Sequence, residues 1–227
     1  MFYDLHVRAE AGKAAEMAKR LGLDGIGLAV QSGIHAKPQE VQALRQAAKS
    51  LKVDAAVGVE IQGKAGQISH LAKSLRRQYE LILVRGGSEE VNRAAMETAE
   101  VDVLINPSLE NGEPGINHIL ARLGARNKVA ICFDFWDIVQ SYKKTRSQVL
   151  TSMMETARFA RKYKCPFVLS AGAVSEWDMR GPSELIAFGK FLGFQEDECR
   201  KALSGSLLFE NRKRLSGKWI MPGVEVE

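Results

Sequence analysis

Short apolar runs alternate along the chain with longer stretches in which apolar positions recur every three or four residues. The short runs are Phe2 to Val7, Gly25 to Val30, Ala55 to Ile61, Leu81 to Val84, Val103 to Ile105, Val129 to Phe133 and Phe167 to Leu169. Their length and β-branched content predict strands. The stretches between them carry helical periodicity: Gly12 to Leu21, Pro38 to Leu51, Gly66 to Arg77, Ser88 to Thr98, Gly115 to Leu123 and Thr145 to Tyr163. Pro182 to Leu192 and Glu196 to Leu203 continue the pattern after the last strand. Pro38 suits a first helical position, where the missing N–H is not needed.

Strand, helix, strand in repetition predicts a parallel sheet with helical crossovers. Several runs are apolar throughout, as expected when both faces are covered. The expected fold is α/β, a single TIM-like (β/α) barrel over residues 1–205, with a C-terminal helix and irregular tail over 206–227. The length of 227 residues fits one such barrel. A GxGxxG after the first strand and a GxxxxGK[ST] loop are both missing, which removes the usual dinucleotide and nucleoside-triphosphate readings. The longest apolar runs are far below the roughly 20 residues of a membrane helix. The start Met1-Phe2-Tyr3-Asp4-Leu5-His6 reads as no secretory signal. Cys132, Cys165 and Cys199 are odd in number and far apart, so a reduced, cytoplasmic setting is expected.

Charge changes the picture more than composition does. The formal net charge is +5, but residues 117–164 carry 10 basic and 3 acidic side chains, while the flanking parts each carry one acid in excess. A concentrated basic surplus is either the footprint of a polyanion, most often nucleic acid, or a solvated helix face. His118 and Arg122 lie four apart and share a helix face, and Arg126 and Lys128 follow at the helix end. Aromatic residues are 7% of the chain and form no RNP-type motif, which disfavours sequence-specific reading of single strands.

In a (β/α) barrel, functional side chains project from the C-terminal ends of the strands. Alternation places Asp4, His6 and Arg8 on one face of the first strand. Glu60 ends the third strand, and Asp178-Met179-Arg180 follows the last. These motifs resemble the metal-binding set of the polymerase-and-histidinol-phosphatase (PHP) phosphoesterases: D-L-H-x-H, G-x-E and D-x-H. Here they read Asp4-Leu5-His6-Val7-Arg8, Gly58-Val59-Glu60 and Asp178-Met179-Arg180. Two ligand histidines are replaced by Arg8 and Arg180. A guanidinium offers only donors and stays charged, so the two arginines convert a metal pocket into an anion-binding barrel mouth. They could equally pair with Asp4, Glu60 or Asp178. The remnants His6, Glu60 and Asp178 leave a metal-dependent phosphoesterase with a reduced ligand set as the alternative reading.

Other stretches narrow the likeness. Leu23-Asp24-Gly25-Ile26-Gly27, Val84-Arg85-Gly86-Gly87, Gly115-Ile116-Asn117-His118-Ile119-Leu120-Ala121 and Asp178-Met179-Arg180-Gly181-Pro182-Ser183-Glu184 stand in an order and spacing that resembles the archaeal ribonuclease P protein component 3 family. That resemblance implies a PHP-like barrel without catalytic residues of its own. It implies a subunit of RNase P, the ribonucleoprotein endonuclease that removes the 5′ leader of precursor tRNA. The implied partners are the RNase P RNA, precursor tRNA and a small RRM-like protein subunit, the pair assembling as a heterotetramer. No cofactor is expected in this chain, and Mg²⁺ would serve the RNA of the holoenzyme. The family's RNA-facing residues map onto Arg85, His118, Lys128, Arg180 and Lys201, to which the charge analysis adds Arg122.

Overall fold

The computed structural model describes residues 1–31, 42, 46, 48–109 and 111–216, together with the backbone of 219–221 and 224–225. Seven strands form one parallel sheet in sequential order: β1 (Tyr3–Val7), β2 (Gly25–Gln31), β3 (Asp54–Ile61), β4 (Leu81–Arg85), β5 (Val103–Ile105), β6 (Ala130–Asp134) and β7 (Phe167–Ser170). Helices α1 (Ala11–Leu21), α2 (Ala65–Leu75), α3 (Glu89–Glu97), α4 (His118–Asn127), α5 (Phe135–Val139) and α6 (Lys143–Tyr163) lie between them. Beyond β7 come a 3₁₀ turn (Glu176–Asp178), α7 (Pro182–Phe191), α8 (Glu196–Ala202) and α9 (Ser206–Leu215). The fold is the TIM-like barrel that the alternation predicts. The helix expected from Pro38 to Leu51 lies largely outside the described residues, of which 48–51 are helical.

Two differences from the expected elements have local causes. The helix expected from Gly115 starts at His118, because the Asn117 side chain accepts hydrogen bonds from the amides of Ile119 (2.9 Å) and Leu120 (3.0 Å) and caps it there. It then runs on to Asn127 and ends with Lys128 in the left-handed conformation. The tail was expected to be irregular, but β8 (Trp219–Met221) and β9 (Val224–Glu225) pair as an antiparallel ribbon after α9.

The core has two layers, set by alternation along each strand. Outward residues such as Ile26, Val57, Val59, Ile82, Leu104 and Ile131 pack under the helices. Inward residues fill the barrel with a smaller cluster that includes Leu5, Ala29, Ala56, Leu81, Leu83, Val103 and Cys132. Small residues on β2 and β3 make room for the leucines of β4. A Cβ on Gly27 would lie 2.9 Å from Leu81 Cδ1 and 2.8 Å from the Leu5 carbonyl oxygen. Leu208 of α9 belongs to the same interior cluster, with Leu207 and Phe209 packed against it. Helix α9 therefore plugs the end of the barrel where the strands begin. Arg212 fastens it by hydrogen bonds to Asp54 (2.5 Å) and Glu80 (2.7 Å), and Phe209 meets Tyr3 edge-on at 5.4 Å.

No backbone ladder joins β7 to β1. The seam is closed mainly by side chains. Ser170 Oγ donates to Asp4 Oδ1 (2.5 Å), and the Ala171 amide donates to Asp4 Oδ2 (3.1 Å). Below, the Tyr3 amide donates to the Leu203 carbonyl; above, the Arg8 amide donates to the Ala173 carbonyl, both at 2.7 Å.

The plug gives a stability prediction. Leu208→Ala, at a fully buried site, should lower stability by about 2–5 kcal/mol, measured as the shift in a urea unfolding midpoint. An effect below about 1 kcal/mol would show that the barrel holds without its plug.

Candidate functional site

The polar residues of the barrel converge at the end where the strands finish. A bulge in β1 places them. Three steps of β1, from Asp4 to Val7, run against two of β2, from Ile26 to Leu28. The extra residue breaks the alternation that would have put Asp4, His6 and Arg8 on one face. Asp4 is turned into the β7 seam, His6 points into the mouth, and Val7 returns to the outer core. His6, with 0% side-chain exposure, bridges two carboxylates: Nδ1 to Asp134 Oδ2 at 2.9 Å and Nε2 to Glu60 Oε2 at 3.3 Å. Glu60 also accepts from Arg85 Nε (2.5 Å) and Gln62 Nε2 (2.8 Å). Arg8 donates from Nη2 to the Gly172 carbonyl at 2.9 Å.

Burial and charge pull these groups apart in acidity. Burial alone would depress the His6 imidazole, but Asp134 and Glu60 push it up to about 9, so it is protonated at neutral pH. Burial works against Asp134 and Glu60 as well, yet their bonds to His6, and to Arg85 for Glu60, hold both below the usual carboxylate range. Among the described residues Asp4 has no cationic partner, and burial raises it to about 6 despite its three hydrogen bonds. Asp137, one turn into α5, is raised to about 7 by burial and by neighbouring Asp134, with Arg85, His6 and Arg8 opposing the rise. Burial also raises the Cys132 thiol well above its ordinary value, so it is not a nucleophile.

This arrangement does not fit the metal centre of a PHP-type phosphoesterase. Such a centre needs neutral imidazole lone pairs, and both nitrogens of His6 already face carboxylate oxygens. Donor atoms of His6, Cys132 and Asp134 lie within 4.8 Å of one another, but the positive charges of Arg8 and Arg85 act on the Asp134 carboxylate. Asp178, expected as a third remnant of a ligand set with His6 and Glu60, caps the 3₁₀ turn instead. It accepts from the Ser175 amide (2.9 Å) and hydroxyl (2.7 Å).

The sequence-based candidates divide into separate groups. Arg85, mapped as RNA-facing, is drawn into the mouth by Glu60. Arg180, paired with Arg8 in the sequence reading, is engaged elsewhere: it donates to the Trp177 (3.2 Å) and Met179 (2.8 Å) carbonyls and lies 5.4 Å over the Phe135 ring. His118, Arg122 and Arg126 line one shallow depression of about 240 Å³ on α4, as the four-residue spacing implies. Arg122 stacks 4.9 Å over Tyr163 at the end of α6, where Lys162 flanks the same ring at 5.6 Å. Lys201 lines a cavity of about 390 Å³ with Arg161 and Lys164. Lys128 is exposed at the end of α4, 3.8 Å from Glu210.

Asp134 and Asp137 are the functional-site residues that sequence reasoning missed. A signal for Asp134 exists. Ala130, Cys132 and Asp134 alternate on the inner face of β6, and the aspartate stands where the apolar run ends. The charge count of residues 117–164 changes once these acids are placed. Both are buried, leaving Glu155 as the only exposed acid among 10 exposed Lys and Arg side chains in that block.

A sequence profile of the family described as "RNase P subunit p30" matches residues 1–215. The ribonuclease P protein component 3 of Methanococcoides burtonii is 32% identical over 239 aligned residues, covering 99% of this chain and 93% of the relative. That of Methanothermobacter thermautotrophicus is 31% identical, covering 90% and 86%. Among solved structures, a chain from a cryo-EM structure of archaeal ribonuclease P with mature tRNA superposes with a TM-score of 0.89. It is 25% identical, with 98% of this chain and 96% of that chain covered. An organophosphorus hydrolase variant from Deinococcus radiodurans shares the barrel at a TM-score of 0.51 and 12% identity.

The buried imidazolium predicts a pH signature. A raised His6 stabilises the fold fully below about 6.5, the ordinary value, and that contribution is lost as pH rises through about 9. Asp4 and Asp137, also raised, weaken the fold as they ionise between about 4 and 7. Urea midpoints should therefore fall between pH 6.5 and 9 in the natural chain, and this fall should be missing in His6→Gln. A flat natural profile would mean that His6 is neutral. Asp134→Asn, which breaks the buried pair, should cost about 3–5 kcal/mol.

Proposed function

The chain belongs to the RNase P subunit p30 family, and we propose that it serves RNase P by offering phosphates a cationic surface rather than by catalysis of its own. It is a protein subunit of the ribonucleoprotein that processes precursor tRNA, and its partners are RNA and tRNA. The observation that supports the electrostatic role is the segregation of charge in residues 117–164, where 10 cations face outward and two of three acids face the barrel. Each phosphate such a surface neutralises releases condensed counterions, so affinity falls steeply with salt. His118, Arg122, Lys128 and Lys201 are the contacts we assign to this surface, with Arg180 over the Phe135 ring and Arg85 at the barrel mouth as further contacts.

Folded RNA is recognised largely through shape and backbone, which clustered cations can meet without an aromatic platform. By screening phosphate repulsion, the subunit would let the catalytic RNA fold and capture precursor tRNA at lower Mg²⁺, the ion serving the RNA. A small RRM-like protein subunit is the protein partner in this reading, the two assembling as a heterotetramer. Among the described residues no helix is long and apolar enough to cross a membrane.

Two measurements test the assignment. The natural chain should bind structured RNA with a steep salt dependence, and the log–log slope should drop by about one for each phosphate-contacting cation removed. Arg122→Ala and Lys201→Ala are the variants to compare. In a complex reconstituted with RNase P RNA and its other proteins, His118→Ala and Arg180→Ala should lower precursor-tRNA processing with folding unchanged by circular dichroism. Full processing by both variants would remove these residues from the RNA interface.

A further inference from the structure

The cavity of about 390 Å³ that Lys201 borders lies beside the α9 plug, at the end where the strands begin. Its size is within the roughly 300–1,000 Å³ of small-molecule sites. Its inner wall includes Leu5, Ala130 and Val168, all buried members of the barrel's interior cluster. Phe167 adds an aromatic wall, its ring held parallel to that of Phe194 at 3.8 Å. Leu5 belongs to β1 and Val168 to β7, so the cavity enters the barrel at the seam. There β1 pairs with β2 alone and β7 with β6 alone. Each strand therefore has one edge outside the ladder, and backbone donors and acceptors run along such an edge.

The rim of the cavity carries charge. Arg161, Lys164 and Lys201 are exposed there, and Glu198 is the one acid of the lining among the described residues. Glu198 is already taken up, by Arg161 Nε at 3.1 Å and by the Gln195 amide at 2.7 Å. Arg161 is committed in turn, its Nη1 donating to the Gly193 carbonyl at 2.8 Å. Among the described residues Lys164 and Lys201 pair with no carboxylate. The rim thus offers two uncompensated ammonium groups above an apolar hollow.

Three demands meet here: an anion for the lysines, an apolar face for Val168 and Phe167, and polar edges for the two strands. An inorganic anion answers the first alone. A fatty acid answers the first two and leaves the strand edges facing hydrocarbon, which costs free energy. A nucleotide answers all three, because a base is flat and apolar on its faces and carries donors and acceptors around its rim. We propose that this cavity takes the base of one nucleotide, with its phosphate on Lys164 and Lys201. The nucleotide is free, or it is one unpaired nucleotide swung out of a bound RNA, a common mode of RNA recognition. The RNA form rests on the RNase P reading, within which it gives Lys201 a specific task. The free form does not.

The test is methyl NMR of the full-length chain labelled with ¹³C at alanine and valine. It is titrated separately with each nucleoside 5′-monophosphate, with a short single-stranded RNA of mixed sequence, with inorganic phosphate and with decanoate. The ring current of a bound base should shift the Ala130 and Val168 methyls saturably, and inorganic phosphate should leave them in place. Shifts with both a monophosphate and the RNA mark a cavity open to free nucleotides, and shifts with the RNA alone mark a nucleotide delivered by its strand. Lys164→Glu and Lys201→Glu, both on the exposed rim, should each weaken binding by roughly tenfold. Lys73→Glu, on the exposed side of α2, should bind as the natural chain does. The proposal falls if no nucleotide or RNA moves these methyls, if decanoate moves them and nucleotides do not, or if both charge reversals bind unchanged. The salt dependence of RNA binding on the same samples separates the two readings. RNA bound steeply with silent Ala130 and Val168 methyls ends this proposal and leaves the cationic surface standing. A chain that takes mononucleotides but no RNA keeps the cavity and overturns the cationic surface.

Discussion

A parallel sheet that curls into a barrel must dispose of its two edges, and here a single buried carboxylate does most of that work. Asp4 stands where a β7–β1 ladder would run, accepting from the Ser170 hydroxyl and the Ala171 amide. Open edges would leave unpaired backbone groups exposed to water or to other chains. The bulge in β1 makes the arrangement possible. It releases Asp4 from the sheet's alternation while delivering the next polar residue, His6, to the mouth. The seam and the site are thus one construction, and a change at Asp4 would be felt in both.

The mouth that results is polar without being poised for hydrolysis. A catalytic metal pocket needs lone pairs free to coordinate, and a general base needs an accessible proton acceptor. His6 offers neither, because both ring nitrogens are committed and the ring is held protonated. Replacing ligand-type residues by Arg8, together with the intrusion of Arg85, reverses the preferred sign of a ligand. The barrel shared with an organophosphorus hydrolase variant is therefore a scaffold in common and not a chemistry in common.

The same burial shapes the outside. Asp134 and Asp137 supply the counter-charge for the mouth, which takes them off the surface of a segment otherwise rich in Lys and Arg. What reads along the chain as a moderate basic surplus becomes, on the surface, ten exposed cations on and beside α4 and α6, with Glu155 the one exposed acid of the block and Glu198 and Glu210 pairing with Arg161 and Lys128 from outside it. Tyr163 organises part of that tract, with Arg122 and Lys162 over its ring. An RNA backbone would meet charges held by stacking and helix geometry rather than freely waving side chains.

The sequence by itself determined the barrel, because alternating two-residue and helical periodicities are local properties that survive in a linear reading. It also determined the family, because Leu23 to Gly27, Val84 to Gly87 and Gly115 to Ala121 keep their order and spacing. It brought His6 and Glu60 to one barrel mouth because strand ends of one barrel converge. Only the tertiary structure decided the rest. That Asp134 and not Asp178 completes the cluster depends on which strand ends on the same side of the mouth as His6. That Arg85 and not Arg180 enters the mouth depends on one buried carboxylate, Glu60, capturing it. That Asp4 and His6 part company depends on a one-residue bulge that no alternation pattern records. Each is a matter of which groups meet across the barrel, and pairing at a distance of 25 to 166 residues in sequence leaves no local trace.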